Sequence, residues 1–409
     1  MGLRLRRLLE HSVTKNSFAL IFLQLFAVVA PLLVFPYLTR MLSLENFGLV
    51  MLAISACSMA LVFTDFGFNL SATYHVSKKR KYRKYISQYI GAIFILKILL
   101  VLALCILIFF YNIFFGSIDG MFVLSIIFNI AAQTFFPTWF FQGIEKMKNI
   151  TIYMLFSKIL FVVLIFLLID KESLPEEIMF IYAISNFFAL SIAFRCIYLS
   201  GYRVCWPKKI SLVRVFSNSV PFFISRASVA LYTSASTFLV GVFSGTQQAA
   251  IYGASEKLFL ASQSVTGPIA QALFPYMAKN GDRRLIFLIL GLVGIPLSLI
   301  AVITGVWASE IMSFIFGPKF YDAGQLLQIF LIVTIVNFIS VILGYPAFAS
   351  IGKVSIANKT VVFGAAIQSV FLFLLYISDL FSALSIVLTV LFTETLVMFS
   401  RVILYLKHR

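Results

Sequence analysis

Four basic side chains lie inside stretches that are otherwise apolar enough to cross a membrane: Lys97, Lys158, Arg226 and Lys257. A cation at the centre of a bilayer costs about 3 kcal/mol on the insertion scale, so four of them facing lipid would carry a large penalty. We therefore expect these side chains to face a hydrated interior and to meet negative charge. Their type and placement predict a path for an anion through the membrane.

Three carboxylates also lie in apolar stretches, namely Asp65, Glu256 and Glu394. They are candidates for ion coupling or for counter-ions of the buried cations. With a rise of about 1.5 Å per residue, Lys97 and Arg226 lie about 14 Å from the cytoplasmic starts of their predicted spans. For these two cations the pattern favours substrate contact over an ion pair with Asp65 or Glu394.

The remaining cations in apolar stretches lie closer to the membrane interfaces. Lys158 and Lys257 could bind substrate or extend to an interface, and the sequence leaves both alternatives open. Arg195 and Arg401 lie near the predicted cytoplasmic ends of their spans. We expect both arginines to be interfacial anchors.

The composition indicates that the bilayer is the solvent of this chain. Its 409 residues are 61% hydrophobic and 11% charged, whereas a soluble domain has about 25% charged residues. The net charge of +17 raises the question of nucleic acid, whose binding proteins collect basic residues on one face together with stacking aromatics. Here the basic residues recur in short gaps between apolar segments, so nucleic acid is not an expected partner.

Apolar segments of about 20 residues predict twelve transmembrane helices in an all-α fold. Their predicted limits are 17–38, 48–74, 88–111, 121–141, 151–169, 178–199, 217–241, 252–277, 285–307, 324–348, 357–377 and 381–406. The gap between the second and third spans contains a run of lysines and arginines over 78–84, which predicts a cytoplasmic location. Counting the spans from this gap predicts that both termini are cytoplasmic.

Residues that support catalysis or metal binding are sparse. The four cysteines are scattered, and the three histidines have no partner carboxylate at helical spacing, so we expect no disulfide and no metal site. No glycine-rich phosphate loop is followed by Lys-Ser or Lys-Thr. The sequence therefore predicts no catalytic residues, no cofactor and no enzyme activity.

The predicted spans fall into two halves of six. We expect an N-terminal bundle over 1–200, a cytoplasmic connector over 201–216 and a C-terminal bundle over 217–409. An even number of spans gives both halves the same orientation, as in parallel repeats. A loose internal similarity supports the repeat, since each half has an outer turn that closes on an aromatic residue and glycine, Phe47-Gly48 and Tyr252-Gly253.

Several stretches resemble one transporter family. PLLVFPYLTRMLSLENFG (31–48), TDFGFNLSATYHVSKKR (64–80), IYGASEKL (251–258) and FGPKFYDAGQLLQIF (316–330) are similar to the polysaccharide transporter family, in particular the Wzx-type O-antigen flippases. The resemblance covers essentially the whole chain. It implies the fold of the multidrug/oligosaccharidyl-lipid/polysaccharide (MOP) superfamily, which has two MATE-like six-helix bundles around a central cavity.

The resemblance also implies a function. Such a protein moves an undecaprenyl-pyrophosphate-linked oligosaccharide from the cytoplasmic to the periplasmic leaflet of the bacterial inner membrane by alternating access. Membrane lipids, an O-antigen polymerase and a chain-length regulator are the expected partners. The alternative is a MATE-like, cation-coupled exporter of small organic molecules. A net acidic cavity would suit that alternative, whereas basic groups outnumber acidic ones in the predicted spans.

Overall fold

A computed structural model describes residues 29–115, 119–207, 209–233, 235–281 and 283–408. In these ranges every regular element is a helix. Nine helices in the described ranges are long and apolar enough to cross a membrane, which agrees with the predicted helical membrane fold. The count of twelve spans and the orientation of the termini stay predictions. The first predicted span lies partly outside the described residues.

The first half of the described chain contains eight helices. They are α1 (Val29–Met41), α2 (Leu44–Asp65), α3 (Phe68–Lys79), α4 (Arg83–Phe115), α5 (Gly120–Thr134), α6 (Thr138–Gly143), α7 (Met147–Leu168) and α8 (Pro175–Leu199).

The second half continues with nine α-helices and one short 3₁₀ helix, Pro318–Ala323. The α-helices are α9 (Lys209–Thr233), α10 (Ser236–Ser244), α11 (Thr246–Asn280), α12 (Arg283–Val306), α13 (Ala308–Phe316), α14 (Gly324–Ile342), α15 (Tyr345–Ser350), α16 (Val354–Ile377) and α17 (Ala383–His408).

Four spans that the sequence predicts as continuous are each formed by two helices. The predicted spans 48–74, 121–141, 217–241 and 324–348 become α2 and α3, α5 and α6, α9 and α10, and α14 and α15. Between α2 and α3 the chain passes through two left-handed residues, Phe66 with φ 45° and Gly67 with φ 74°. This conformation ends the helix, because it cannot continue the right-handed hydrogen-bond pattern.

The interruptions between α5 and α6 and between α14 and α15 have the same arrangement. In each, a long helix ends, two or three residues intervene, and a helix of six residues follows. Pro137 precedes α6, and Pro346 lies in the first turn of α15. Proline has no backbone N–H and suits the first turn of a helix, so each proline favours a new start over continuation.

The chain forms two compact units. Among the described residues, unit 1 contains 29–30 and Ala53–Ala230, and unit 2 contains Pro31–Leu52 and the chain from Leu231 onward. The core of unit 1 includes the fully buried Trp139, Phe140 and Tyr153. The predicted division into 1–200, 201–216 and 217–409 stays a prediction.

In unit 2 the two glycines of the predicted repeat lie at close helix contacts. A Cβ atom on Gly48 would collide with the carbonyl oxygen of Thr246, and one on Gly253 would collide with Met51. The first two turns of α2 and the start of α11 therefore approach more closely than larger residues would permit.

Arg40 connects the end of α1 to α13 in the same unit by hydrogen bonds. Its guanidinium donates to the carbonyl oxygens of Phe314 and Ile315 at 2.8 and 2.9 Å. These carbonyls belong to the last turn of α13, which has no further helical N–H donors. A cation at this negative helix end is favourable.

Candidate functional site

Lys97 is buried in the middle of unit 1, on the long helix α4. Its Nζ lies 3.9 Å from Oδ1 of Asp65, and the two side chains are 3% and 13% exposed. The same Nζ donates to the carbonyl oxygen of Thr134 at 2.6 Å. Because Thr134 is the last residue of α5, its carbonyl has no helical donor. The interruption of the fourth predicted span thus supplies an acceptor for the buried ammonium.

Asp65 ends α2 immediately before the left-handed turn. Its Oδ2 accepts from the backbone N–H of Asn69 at 3.3 Å, while its buried Oδ1 accepts no hydrogen bond from the described residues. The ion-pair partner of Asp65 is therefore Lys97. The sequence left an ion pair open as the alternative to substrate contact for this lysine, and its role in binding stays a proposal.

Arg226 has different surroundings. It lies on α9 in unit 1, and its side chain is exposed. Unlike Lys97, it is not buried against a helix end, so its guanidinium keeps its hydrogen-bonding capacity for another partner. Arg226 is the most accessible of the four predicted substrate-binding cations.

Lys158 is half-buried on α7 and is held by a tyrosine. Its Nζ donates to the hydroxyl oxygen of Tyr182 at 3.0 Å and lies 4.9 Å from the centroid of the same ring. A cation within about 6 Å of a ring face gains electrostatic stabilisation. This contact, between α7 and α8, gives Lys158 a neutral partner and leaves its charge uncompensated.

Unit 1 also contains a chain of hydrogen-bonded polar side chains. Asn186 accepts from Ser157 at 2.7 Å and donates to Asn129 at 2.9 Å. Asn129 also accepts from Gln133 at 3.0 Å and donates to the Cys57 sulfur at 3.5 Å. These bonds connect α2, α5, α7 and α8 and satisfy polar atoms that would otherwise be costly in an apolar environment.

In unit 2, Glu256 and Lys257 are consecutive residues with separate partners. Glu256 accepts from the Thr237 hydroxyl at 2.7 Å. The Nζ of Lys257 lies 5.7 Å from the centroid of Phe35, at the outer limit of a cation–π contact. Both side chains are half-buried.

Glu394 and Arg401 line one cavity of about 250 Å³ in unit 2. Glu394 is 8% exposed and Arg401 is 6% exposed. The cavity wall also includes the polar residues Asn337 and Tyr345, with valines and Gly364 completing it. A carboxylate and a guanidinium thus share a small, largely apolar space.

The expectation that Arg401 is an interfacial anchor is wrong. Its Nε donates to the Thr360 hydroxyl at 2.9 Å, and its Nη1 donates to the carbonyl and hydroxyl oxygens of Ser340 at 2.8 and 2.9 Å. A signal for this burial was present in the sequence. Arg401 follows Glu394 by seven positions, which is two helical turns, so both side chains lie on the same face of α17. Arg195, in contrast, is exposed.

The predicted site residues therefore fall into distinct settings. Lys97 and Asp65 are in contact in unit 1, where Lys158 and Arg226 have separate environments. Glu394 lies in the cavity with Arg401 in unit 2. Within the described ranges, no three histidine, cysteine, aspartate or glutamate side chains are placed to hold a metal ion.

Sequence comparison places this arrangement in a family. The family model described as "Polysaccharide biosynthesis protein" matches residues 13–281, which is more than half of the chain. The chain belongs to this family. The resemblance seen in the sequence stretches is thereby confirmed.

Two curated relatives of this family member carry the name "Putative O-antigen transporter". The protein of Shigella dysenteriae is 27% identical over 380 residues, covering 90% of this chain and 93% of the relative. The protein of Escherichia coli strain K12 is 25% identical over 402 residues, with 94% and 95% coverage. Both relatives are named as transporters, and together with the apolar helices they identify a multi-pass membrane protein.

Solved structures show the same fold. An inward-facing MATE family multidrug resistance transporter of the MOP superfamily has a TM-score of 0.73 to this polysaccharide biosynthesis family member, with 10% identity and coverage of 95% of this chain and 94% of that chain. At this identity the likeness concerns the fold alone. The expected all-helical, MATE-like fold is confirmed, while the two six-helix bundles and the central cavity stay predictions.

Proposed function

We propose that the chain moves an undecaprenyl-pyrophosphate-linked oligosaccharide from the cytoplasmic to the periplasmic leaflet of the bacterial inner membrane. The names of the curated relatives support an O-antigen unit as cargo. The observation that carries the proposal is the charge balance of unit 1. In unit 1, Lys97, Lys158 and Arg226 lie within helices α4, α7 and α9, and Asp65, at the end of α2, is the carboxylate paired with Lys97.

This balance suits a polyanion. A pyrophosphate requires several charge-assisted hydrogen bonds, which are stronger in a low-dielectric setting than in water. Lys97 is already partly compensated by Asp65, and Arg226 is exposed with its planar fork of donors available. In the proposed mechanism Arg226 engages the pyrophosphate before Lys97 does, and Lys97 adds charge from within the helix bundle. The sugars occupy hydrated space and the polyprenyl tail remains in lipid.

The alternative, cation-coupled export of small organic molecules, is disfavoured by the same residues. An organic cation needs a net negative site, but unit 1 offers the opposite charge at mid-span. The MATE structures support a shared fold, not a shared substrate.

Export in living cells tests the proposal. A strain that lacks its own O-antigen flippase is complemented with the wild-type chain, Arg226→Ala or Arg226→Lys, and surface polysaccharide is quantified at matched membrane expression. We expect Arg226→Ala to lower display at least tenfold and Arg226→Lys to keep part of it, because lysine retains the charge but not the bidentate geometry.

The matched control is Arg195→Ala, which removes an exposed arginine of the same unit. This variant is expected to display wild-type amounts of polysaccharide. Normal display from Arg226→Ala would contradict the assigned role of this arginine. Failure of the wild-type chain to restore any display would contradict the proposed function.

A further inference from the structure

A second positively charged region lies outside the apolar spans, at the junction of α3 and α4. We call residues 74–85 the basic–aromatic surface. Its exposed cations are Lys78, Lys79, Arg80, Lys81, Arg83 and Lys84, and its tyrosines are Tyr74, Tyr82 and Tyr85. The tyrosines are 58%, 68% and 39% exposed. The sequence analysis used the lysines and arginines of this region only to predict membrane orientation. The proposed function gives the region no other role.

Two of its lysines are held over tyrosine rings. The Nζ of Lys78 lies 4.4 Å from the centroid of Tyr74, and the Nζ of Lys79 lies 4.4 Å from that of Tyr85. A ring face orients an ammonium without neutralising its charge. The two cations are therefore ordered and still able to attract an anion.

The rings are in turn connected to the core of unit 1. The Tyr85 hydroxyl lies 2.7 Å from Nε2 of His75, and the imidazole of His75 stacks on Tyr89 with centroids 4.6 Å apart. Tyr89 is buried and meets the edge of Trp139. These contacts fix the position of Tyr85 on an otherwise solvated turn. Because Lys79 lies over the Tyr85 ring, they position this lysine as well.

Little negative charge compensates this surface. Arg80 forms an ion pair of 2.8 Å with Glu145, and both side chains are about half exposed. The residues that follow Glu145 add the exposed Lys146 and Lys148. The hydroxyl of Tyr202 donates to the carbonyl oxygen of Arg80 at 3.3 Å, so three separate segments of unit 1 meet here with an excess of cations.

Membrane orientation alone does not require so large an excess. The corresponding gap of the second half, after the eighth predicted span, contains Lys279, Arg283 and Arg284 with Asp282. That turn satisfies the positive-inside pattern with half the number of cations. The sequence of the first-half gap therefore has more cations than this pattern requires.

We propose that the basic–aromatic surface binds the diphosphate headgroup of the lipid-linked oligosaccharide before it crosses the membrane. This inference rests on the proposed function and names a second site for the same cargo. A diphosphate concentrates its charge on two adjacent phosphoryl groups, which suits ordered, closely spaced cations. The exposed faces of Tyr74 and Tyr82 offer stacking surfaces to the sugars that follow the diphosphate. The bulk charge of anionic lipids would need neither ordered ammonium groups nor ring supports.

Equilibrium binding to the full-length purified chain, reconstituted in nanodiscs of neutral lipid, tests the inference. The probe is farnesyl diphosphate, titrated by calorimetry at low and high salt. We expect Lys78→Gln/Lys79→Gln to weaken binding at least tenfold and Tyr74→Leu/Tyr85→Leu to weaken it severalfold. Because the surface is exposed, wild-type binding should weaken as salt rises.

The matched control is Lys279→Gln/Lys359→Gln, which removes two exposed lysines of unit 2 and should change the affinity less than twofold. Unchanged affinity in Lys78→Gln/Lys79→Gln would overturn the inference. An equal loss of binding to phosphatidylglycerol vesicles would also overturn it, in favour of general attraction to anionic lipid. Export by the wild-type chain is scored separately, so a failed binding result leaves the proposed function standing.

Discussion

Lys97 shows how a buried charge is tolerated in an apolar helix. Desolvation of an ammonium and a carboxylate costs several kcal/mol per ion, and their attraction offsets this only when further hydrogen bonds are present. Lys97 has such a bond to the Thr134 carbonyl, and Asp65 accepts from the Asn69 N–H. The pair is therefore compatible with two roles, one in stability and one in anion binding.

Paired substitutions separate these roles. Lys97→Met alone leaves Asp65 without its cation and should destabilise the protein by about 3–5 kcal/mol. Lys97→Met/Asp65→Leu removes both charges and should recover most of that stability, while export stays impaired if the cation contacts substrate. The measurements are thermal unfolding in detergent and surface polysaccharide in a complemented strain. Wild-type export by a stable double variant would show that Lys97 is structural only.

His75 provides a pH-dependent contribution to stability outside the apolar spans. Its partial burial, with the nearby positive charge of Lys79, lowers the pKa of its imidazole below the usual value of 6.5. Between the lowered pKa and 6.5 the unfolded chain binds more protons than the folded one. Stability therefore rises with pH through this window and is lost as pH falls through the folded pKa.

Melting temperatures of the wild type and His75→Gln, compared between about pH 5 and pH 8, isolate this contribution. Glutamine retains a hydrogen-bonding group near Tyr85 but does not titrate. We expect the wild type to lose more stability than the variant on acidification. Parallel pH profiles for the two proteins would refute the assignment to His75.

At the scale of elements, two interrupted helices receive a buried cation from another helix. Lys97 on α4 bonds the last carbonyl of α5, and Arg401 on α17 bonds the Ser340 carbonyl in the last turn of α14. These carbonyls have no donors within their own helices, and the negative ends of the helix dipoles favour cations. In each unit, the carbonyl oxygen at the end of an interrupted helix accepts a hydrogen bond from a buried cation. The carbonyl gains a donor, and the cation gains an acceptor.

The α2–α3 interruption depends on Gly67. A Cβ at this position would lie 2.7 Å from the Phe223 backbone nitrogen and 2.8 Å from the Phe222 Cβ, at a φ of +74°. The left-handed conformation alone costs roughly 1–2 kcal/mol for a residue with a side chain, and the clash adds to it. We expect Gly67→Ala to lower the melting temperature and the free energy of unfolding by at least this amount.

Gly291→Ala is the control for this change, because a Cβ at Gly291 on α12 meets no atom within 4 Å. Alanine is favoured over glycine within a helix by about 1 kcal/mol, so the control should be neutral or stabilised. Equal stability of the Gly67→Ala and Gly291→Ala proteins would contradict the importance of the left-handed turn.

For the whole molecule, the sign of the transported charge determines how transport is driven. Because the inside is negative, moving negative charge outward releases about 2.3 kcal/mol per charge per 100 mV, so the proposed doubly charged pyrophosphate would release roughly 4–5 kcal/mol at 100 mV. We expect the membrane potential to accelerate flipping in reconstituted vesicles. If the flipping rate is the same with and without a membrane potential or a pH gradient, neither drives transport. The protein would then only equilibrate the lipid-linked sugar between the leaflets.

The carboxylates Asp65, Glu256 and Glu394 are the candidates for additional ion coupling in that experiment. Glu394→Gln should abolish the response to a pH gradient if Glu394 exchanges a proton. If it only balances charge in the cavity with Arg401, the same variant should mainly lower stability and keep the pH response.

Most of the spans were predictable because hydrophobic length is a local property of the chain. Helices α4, α8, α11 and α16 each cover a predicted apolar segment, and α7, α12 and α17 cover theirs to within two residues. The interruptions were not predicted, since a break depends on backbone conformation and tertiary contacts. Pro137 and Pro346 were local hints, but proline also occurs in membrane helices that only bend.

The sequence by itself determined the class of the protein, its helical membrane character and the small set of ionisable residues that must be partnered, because transfer from water to lipid acts on each residue type directly. Only the tertiary structure decided the partners. It joined Lys97 to Asp65 and the end of α5, left Arg226 exposed, and buried Arg401 beside Glu394. The spacing of Glu394 and Arg401 placed these two on one helix face, but the partners themselves depend on which faces of distant helices meet and where a helix breaks, and a local pattern does not determine either.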